Sequence, residues 1–141
     1  MQYIITCPEH IDTSITLPAS KSISNRALII QALTKGGMMP ENLSDCDDTE
    51  VIIRGLSKQS DVIDIKAAGT AMRFMTAYLS ATDGEYTITG TERMKHRPIG
   101  ILVDALRYLG AEIEYVGEEG YPPLHIRGRQ LEGGSLQIPG N

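Results

Sequence analysis

Apolar positions along the chain recur with two periods. Ile99, Leu102, Val103, Leu106 and Leu109 keep the i, i+3, i+4, i+7 spacing of one helix face, and Gly110 supplies a stop. Pro98 suits the first helical position. The same period places Ala27, Leu28, Ile30 and Leu33 on a helix from about Ser22 to Gly36-Gly37, with Ser20 or Ser22 as its cap. Val51, Ile52 and Leu56 predict a second helix that starts in Ser44-Asp45-Cys46-Asp47-Asp48, and Met72, Met75 and Leu79 a third that starts after Gly69. Alternating or β-branched runs predict strands at 2–6 and 13–17, at Val62, Ile63 and Ile65, and at 86–89, 112–115, 124–127 and 135–138. The order is strand, helix, strand, helix, strand, strand, and then it begins again.

Composition narrows the class. At 141 residues and 41 % apolar content the chain can bury one real core, and no stretch approaches the ~20 apolar residues of a membrane span. Two cysteines, Cys7 and Cys46, form no CxxC pair, so the expectation is two free thiols in a reducing cytoplasm. The opening residues, Met1 to Thr6, are neither basic nor long enough for a signal peptide.

Charge changes the picture more. The net charge is −5, which argues against a general nucleic-acid surface. Yet Lys21, Arg26, Arg73, Arg93, Lys95 and Arg97 all fall in Gly-, Ser- or Pro-marked junctions that lead into helices. A helix N-terminus carries partial positive charge, so cations there cost a few tenths of a kcal/mol, up to about 1. Folding gains nothing from them. An anion bound at such turns reverses the sign, because N–H groups, hydroxyls, ammonium and guanidinium groups then share it. Three junctions of this kind predict a pocket for a small multi-anion ligand. The acids of Ser44–Asp48 suit their helix dipole, and this structural reading outweighs a metal or acid/base site. His96 and His125 read as a surface and a structural residue.

Three motifs carry a resemblance. Lys21-Ser22-x-x-x-Arg26, Ala68-Gly69-Thr70-Ala71-Met72-Arg73 and Arg93-Met94-Lys95-x-Arg97-Pro98-Ile99 resemble, in order and spacing, the N-terminal half of the 5-enolpyruvylshikimate-3-phosphate synthase (3-phosphoshikimate 1-carboxyvinyltransferase) family. The resemblance runs from Ile15 onward. It implies an α+β (mixed α/β) fold: an inside-out α/β barrel domain built from βαβαββ units, here truncated. It implies that residues 1–12 are a strand segment that would pair with a missing second domain. Residues 13–141 would then be most of the N-terminal substrate-binding domain. The implied reaction moves the enolpyruvyl group of phosphoenolpyruvate to the 5-hydroxyl of shikimate 3-phosphate and releases phosphate, on the route to chorismate and the aromatic amino acids.

By position, Lys21 resembles a lysine that touches both substrates and is the implied catalytic group. Ser22 and Arg26 resemble the pair that holds shikimate 3-phosphate. Gly69 resembles the glycine whose backbone meets phosphoenolpyruvate, where glyphosate also packs, and Arg97 the arginine that clamps phosphoenolpyruvate. Thr70, Arg73 and Arg93 would orient the turns. The family uses no metal and no organic cofactor. The implied partners are the two small substrates, with no nucleic acid and no membrane, in a cytoplasmic enzyme that is monomeric at full length.

Three residues depart from the family's pattern: Ala67 stands where Asn is frequent, Phe74 where Pro is common, and His96 where an acid stands. They are expected to tune affinity. The chain is also far shorter than family members, which implies a fragment without turnover of its own. The UDP-N-acetylglucosamine enolpyruvyl transferases share the fold but have Lys-Asn where this chain has Lys21-Ser22, and commonly a loop cysteine that neither Cys7 nor Cys46 matches. A non-catalytic anion-binding module on the same scaffold is the rival from another class.

Overall fold

The computed structural model describes residues 3–4, 6–34, 37–57 and 60–138. Helices α1 (Lys21–Leu33) and α2 (Asp47–Leu56) lead into β1 (Val62–Asp64), α3 (Gly69–Ser80) and β2 (Gly84–Thr89). A single-turn α4 (Glu92–Lys95), then α5 (Gly100–Tyr108), β3 (Glu112–Tyr115) and β4 (Leu124–Gly128) complete the order. From Val62 to Gly128 the chain is therefore one βαβαββ unit with the extra turn α4 inserted. Its sheet order is β1-β2-β4-β3, with β1 parallel to β2 and the other pairs antiparallel.

Register explains the core. Ile63, Ile88 and Leu124 stand side by side across three strands, and Tyr86, Ile126 and Ile113 form the next row. All six are buried, and Met72, Met75 and Leu79 of α3 and Val103 and Leu106 of α5 close over them. Full burial of one such side chain stabilises by about 1.5–3 kcal/mol. The opposite sheet face is charged: Glu85 meets His125 at 2.9 Å and Arg127 at 3.5 Å, and Arg127 also reaches Glu114 at 3.5 Å. The His125 and Arg127 contacts hold the Glu85 carboxyl below its usual range. Helices α1 and α2 pack on each other and on α3.

The predicted strands 62–65, 86–89, 112–115 and 124–127 are all present. So are the four long helices. Gly110 ends α5 as expected, with φ 95°, its N–H donating to Arg107 O and the Ala111 N–H to Leu106 O. This is a Schellman ending, which needs a left-handed residue.

Five expectations are corrected. Residues 13–17 and 135–138 are not strands, and Ile15, Leu17 and Ile138 are exposed. Their alternation supplies one half of a ladder, and no described strand supplies the other. In the first predicted strand, residues 3, 4 and 6 carry no ladder, while Gln2 and Ile5 lie outside the described residues. Pro98 is not at the first helical position, because Ile99 caps α5 while its N–H donates to Gly120 O. Helix α1 ends at Leu33 with Thr34 as its cap, whose hydroxyl donates to Gln31 O. Gly36 lies outside the described residues.

Candidate active site

Backbone geometry brings the second and third junctions together. Lys66 has φ 53°, an uncommon conformation outside glycine. Asp64 sustains it: Oδ1 accepts from the Lys66 N–H at 2.9 Å and Oδ2 from its ammonium at 2.8 Å. These contacts hold the Asp64 carboxyl below its usual value. The Lys66 carbonyl then accepts from the Thr91 N–H at 3.0 Å. Gly90 makes this approach possible, since a Cβ there would stand 2.5 Å from Lys66 O.

On that base Arg73 ties α3 to the third junction. Its Nη1 donates to Gly69 O at 3.1 Å and its Nη2 to Pro98 O at 3.0 Å. Arg97 packs closely against Gly69: a Cβ on Gly69 would fall 2.7 Å from Cζ and 2.8 Å from Nη2 of that guanidinium. No side chain caps α3. The start of α3 thus has no side-chain acceptor of its own, and the Arg97 guanidinium stands beside it; free N–H groups beside a cation suit an anion. A cavity of about 400 Å³ opens here, lined by Ala67, Arg93, Met94 and Arg97. Arg93 and Lys95 sit in the last turn of α4, the end of a helix that favours cations, so that one turn removes part of the expected penalty.

The first junction is built from side chains. Ser20 caps α1, its hydroxyl accepting from the Ile23 N–H at 3.5 Å. This leaves the Ser22 side chain out of the capping role and exposed. Lys21 Nζ stands 3.6 Å from Asp48 Oδ2 in the first turn of α2. Arg26 Nη1 donates to Ser22 O at 2.9 Å, and its guanidinium lies 5.5 Å from the centre of the Phe74 ring on α3. Two buried contacts fix α1 against α2. The Ser44 N–H donates to Ser24 Oγ at 2.9 Å, and the Thr49 hydroxyl to Asn25 Oδ1 at 2.8 Å.

Of the sequence-predicted site residues, Gly69 and Arg97 are therefore in direct contact. Lys21, Ser22 and Arg26 gather at the start of α1 and do not line the Arg93–Arg97 cavity. Sequence reasoning missed Asp48 as the partner of Lys21, because a first-turn acid already has a sufficient local reason. It marked Phe74 only as a departure. Among the described residues no group of three His, Cys, Asp or Glu is placed to hold a metal ion. Among the same residues no helix is long and apolar enough to cross a membrane.

Comparison with known proteins identifies the family. Residues 5–59 and 52–140 match the family model of EPSP synthase (3-phosphoshikimate 1-carboxyvinyltransferase). The chain belongs to the EPSP synthase family. A 3-phosphoshikimate 1-carboxyvinyltransferase of Bacteroides fragilis is 64 % identical over 141 residues, which is all of this chain and 34 % of that protein. One from Photobacterium damsela subsp. piscicida is 42 % identical over 157 aligned positions, covering 93 % of this chain and 37 % of the relative. The chain thus spans about a third of the length of these relatives. The structure of EPSP synthase from Acinetobacter baumannii superposes with a TM-score of 0.75 at 22 % identity, over 89 % of this chain and 34 % of that one. That likeness establishes the fold: a partial EPSP synthase domain of mixed α/β build.

Proposed function

We propose that this chain forms one anion-binding wall of an enolpyruvyl transferase site. The reaction carries the enolpyruvyl group of phosphoenolpyruvate to the 5-hydroxyl of shikimate 3-phosphate, giving 5-enolpyruvylshikimate 3-phosphate and phosphate. The observation that carries this reading is the Arg97 guanidinium packed against Gly69 at the uncapped start of α3.

In this reading Gly69 and Arg97 receive phosphoenolpyruvate, since a planar fork suits both carboxylate and phosphate. Ser22 and Arg26 hold shikimate 3-phosphate, and Lys21 reaches both substrates as the catalytic cation. Holding two polyanions side by side lowers the entropic barrier. Fixed cations stabilise charge that develops in the tetrahedral adduct. The substrates are small molecules, and the reading needs neither nucleic acid nor membrane. It places the full-length protein in the cytoplasm as a monomer. Residues 13–141 make up most of the substrate-binding domain, and residues 1–12 reach toward a second domain. The 141 residues alone bind without turnover.

Amide-resolved NMR titration tests this. Shikimate 3-phosphate is expected to shift Lys21–Arg26, an effect lost in Arg26→Ala. Phosphoenolpyruvate is expected to shift Gly69–Arg73, an effect lost in Arg97→Ala. Responses confined to the Glu85–His125–Arg127 face, or equal responses in wild type and variants, overturn the assignment.

A further inference from the structure

Phe74 is the single phenylalanine of the chain. It follows Arg73 on α3, on a helix whose other large apolar residues are Met, Leu and Tyr. Its ring is half-buried, outside the core cluster and outside the side chains packed on that cluster. Its ring meets Arg26. The guanidinium carbon stands 5.5 Å from the ring centre, inside the ~6 Å reach of cation–π attraction.

Arg26 is therefore held from two helices at once. The Ser22 carbonyl on α1 takes one of its N–H groups, and the ring on α3 takes a face of the guanidinium. Neither partner is an anion, and among the described residues no carboxylate pairs with Arg26, so the other N–H donors of the fork remain available to a ligand. Lys21 is different, because the Asp48 carboxylate stands 3.6 Å away. A free arginine side chain carries about 2 kcal/mol of rotamer entropy, which an incoming anion would otherwise have to suppress. Preorganisation raises affinity by removing that cost beforehand.

With the assignment of Arg26 to shikimate 3-phosphate as its footing, we propose that Phe74 is a positioning residue. Its ring presents the Arg26 guanidinium, without an anionic partner among the described residues, to an anionic group of the shikimate 3-phosphate bound at α1. The ring also links the two halves of the site, since it stands one residue from the arginine that ties α3 to Pro98.

The test uses the 141-residue chain and two substitutions. Phe74→Leu keeps a bulky apolar side chain without a ring face, and Phe74→Tyr keeps the face. Without ligand, the Arg26 Nε–H signal is expected to lose its ring-current shift, and its heteronuclear NOE to fall, in Phe74→Leu but not in Phe74→Tyr. With shikimate 3-phosphate, Kd is expected to rise about three- to ten-fold in Phe74→Leu and to stay within about two-fold in Phe74→Tyr. The loss should vanish when Arg26→Ala is already present. The Kd for phosphoenolpyruvate, governed by Arg97, should not move.

An unchanged Arg26 signal in Phe74→Leu overturns the proposal whatever the ligand does. So does an equal loss of affinity with and without Arg26. A signal that responds to Phe74→Leu beside a shikimate 3-phosphate Kd that ignores Arg26→Ala overturns the underlying substrate assignment instead.

Discussion

The two halves of the site rest on unlike supports. Gly69, Arg73 and Arg97 stand on the βαβαββ unit, where backbone bonds such as Thr91 N–H to Lys66 O fix one junction against the next. Lys21, Ser22 and Arg26 stand on α1, outside the sheet, held by Asp48, Phe74 and the Ser24 and Asn25 contacts with Ser44 and Thr49. The chain before α1, residues 6–20, carries no strand. One half is placed by the fold, the other by side chains that reach between helices. The proposed anion pocket thus joins a wall fixed by backbone bonds to one whose geometry depends on a few individual groups.

The largest effect expected from this contrast is on stability. Ile88→Ala, at a fully buried position in β2, should cost about 2–5 kcal/mol in urea melts. Ile15→Ala, at 75 % exposure in the segment before α1, should stay within about 0.5 kcal/mol. Equal losses would break the contrast, because the N-terminal segment would then be supporting the fold. Next comes Gly69→Ala. Its methyl group cannot coexist with Arg97 in place, but the guanidinium is a flexible end and the fold should stand. Phosphoenolpyruvate affinity should fall about ten-fold or more, which is about 1.4 kcal/mol or more, with shikimate 3-phosphate affinity within two-fold. A matching loss for both ligands, measured by calorimetric titration, would show that the halves are not separately supported.

The smallest effect concerns the Lys66 turn. The Asp64 carboxyl is held below its ordinary value, near 3.8, first by the hydrogen bond from Lys66. A depressed folded-state pKa gives stability that is present above the unfolded value and lost as pH falls through the folded one. Below pH ~3.8 the wild type should therefore lose more stability than Asp64→Asn, with the curves parallel above it. The difference should stay under about 1 kcal/mol, because both side chains are half-exposed. Curves parallel throughout would show that the carboxylate charge does not hold the turn.

Much of this was legible before the fold was seen. Periodicity marks α1, α2, α3 and α5, because each has one apolar face to bury. The cations of the three junctions stand out because a helix start disfavours them, although the fold uses Arg73 to tie α3 to Pro98 and gives Arg93 and Lys95 the last turn of α4. Alternation at 13–17 and 135–138 misleads, since a strand is a pairing and a sequence writes only one side of it. The turn α4 is too short to show a period, and it hid inside the run Arg93–Arg97. The roles of Asp48 and Phe74 depend on how α1 sits against α2 and α3, a relation with no trace in local spacing.

That seating has a mechanical consequence. Ser24 meets Ser44 just before α2, and Asn25 meets Thr49 in its first turn, both buried. Sliding α1 by a single turn, about 5.4 Å, would break both pairs and strand buried polar groups at about 1–3 kcal/mol each. The contacts act like the bitting of a key, giving one seated position and no gradual travel. α1 and α2 therefore form a single cartridge. Any shift of the α1 backbone must therefore carry Lys21, Ser22, Arg26 and Asp48 together, as one stroke.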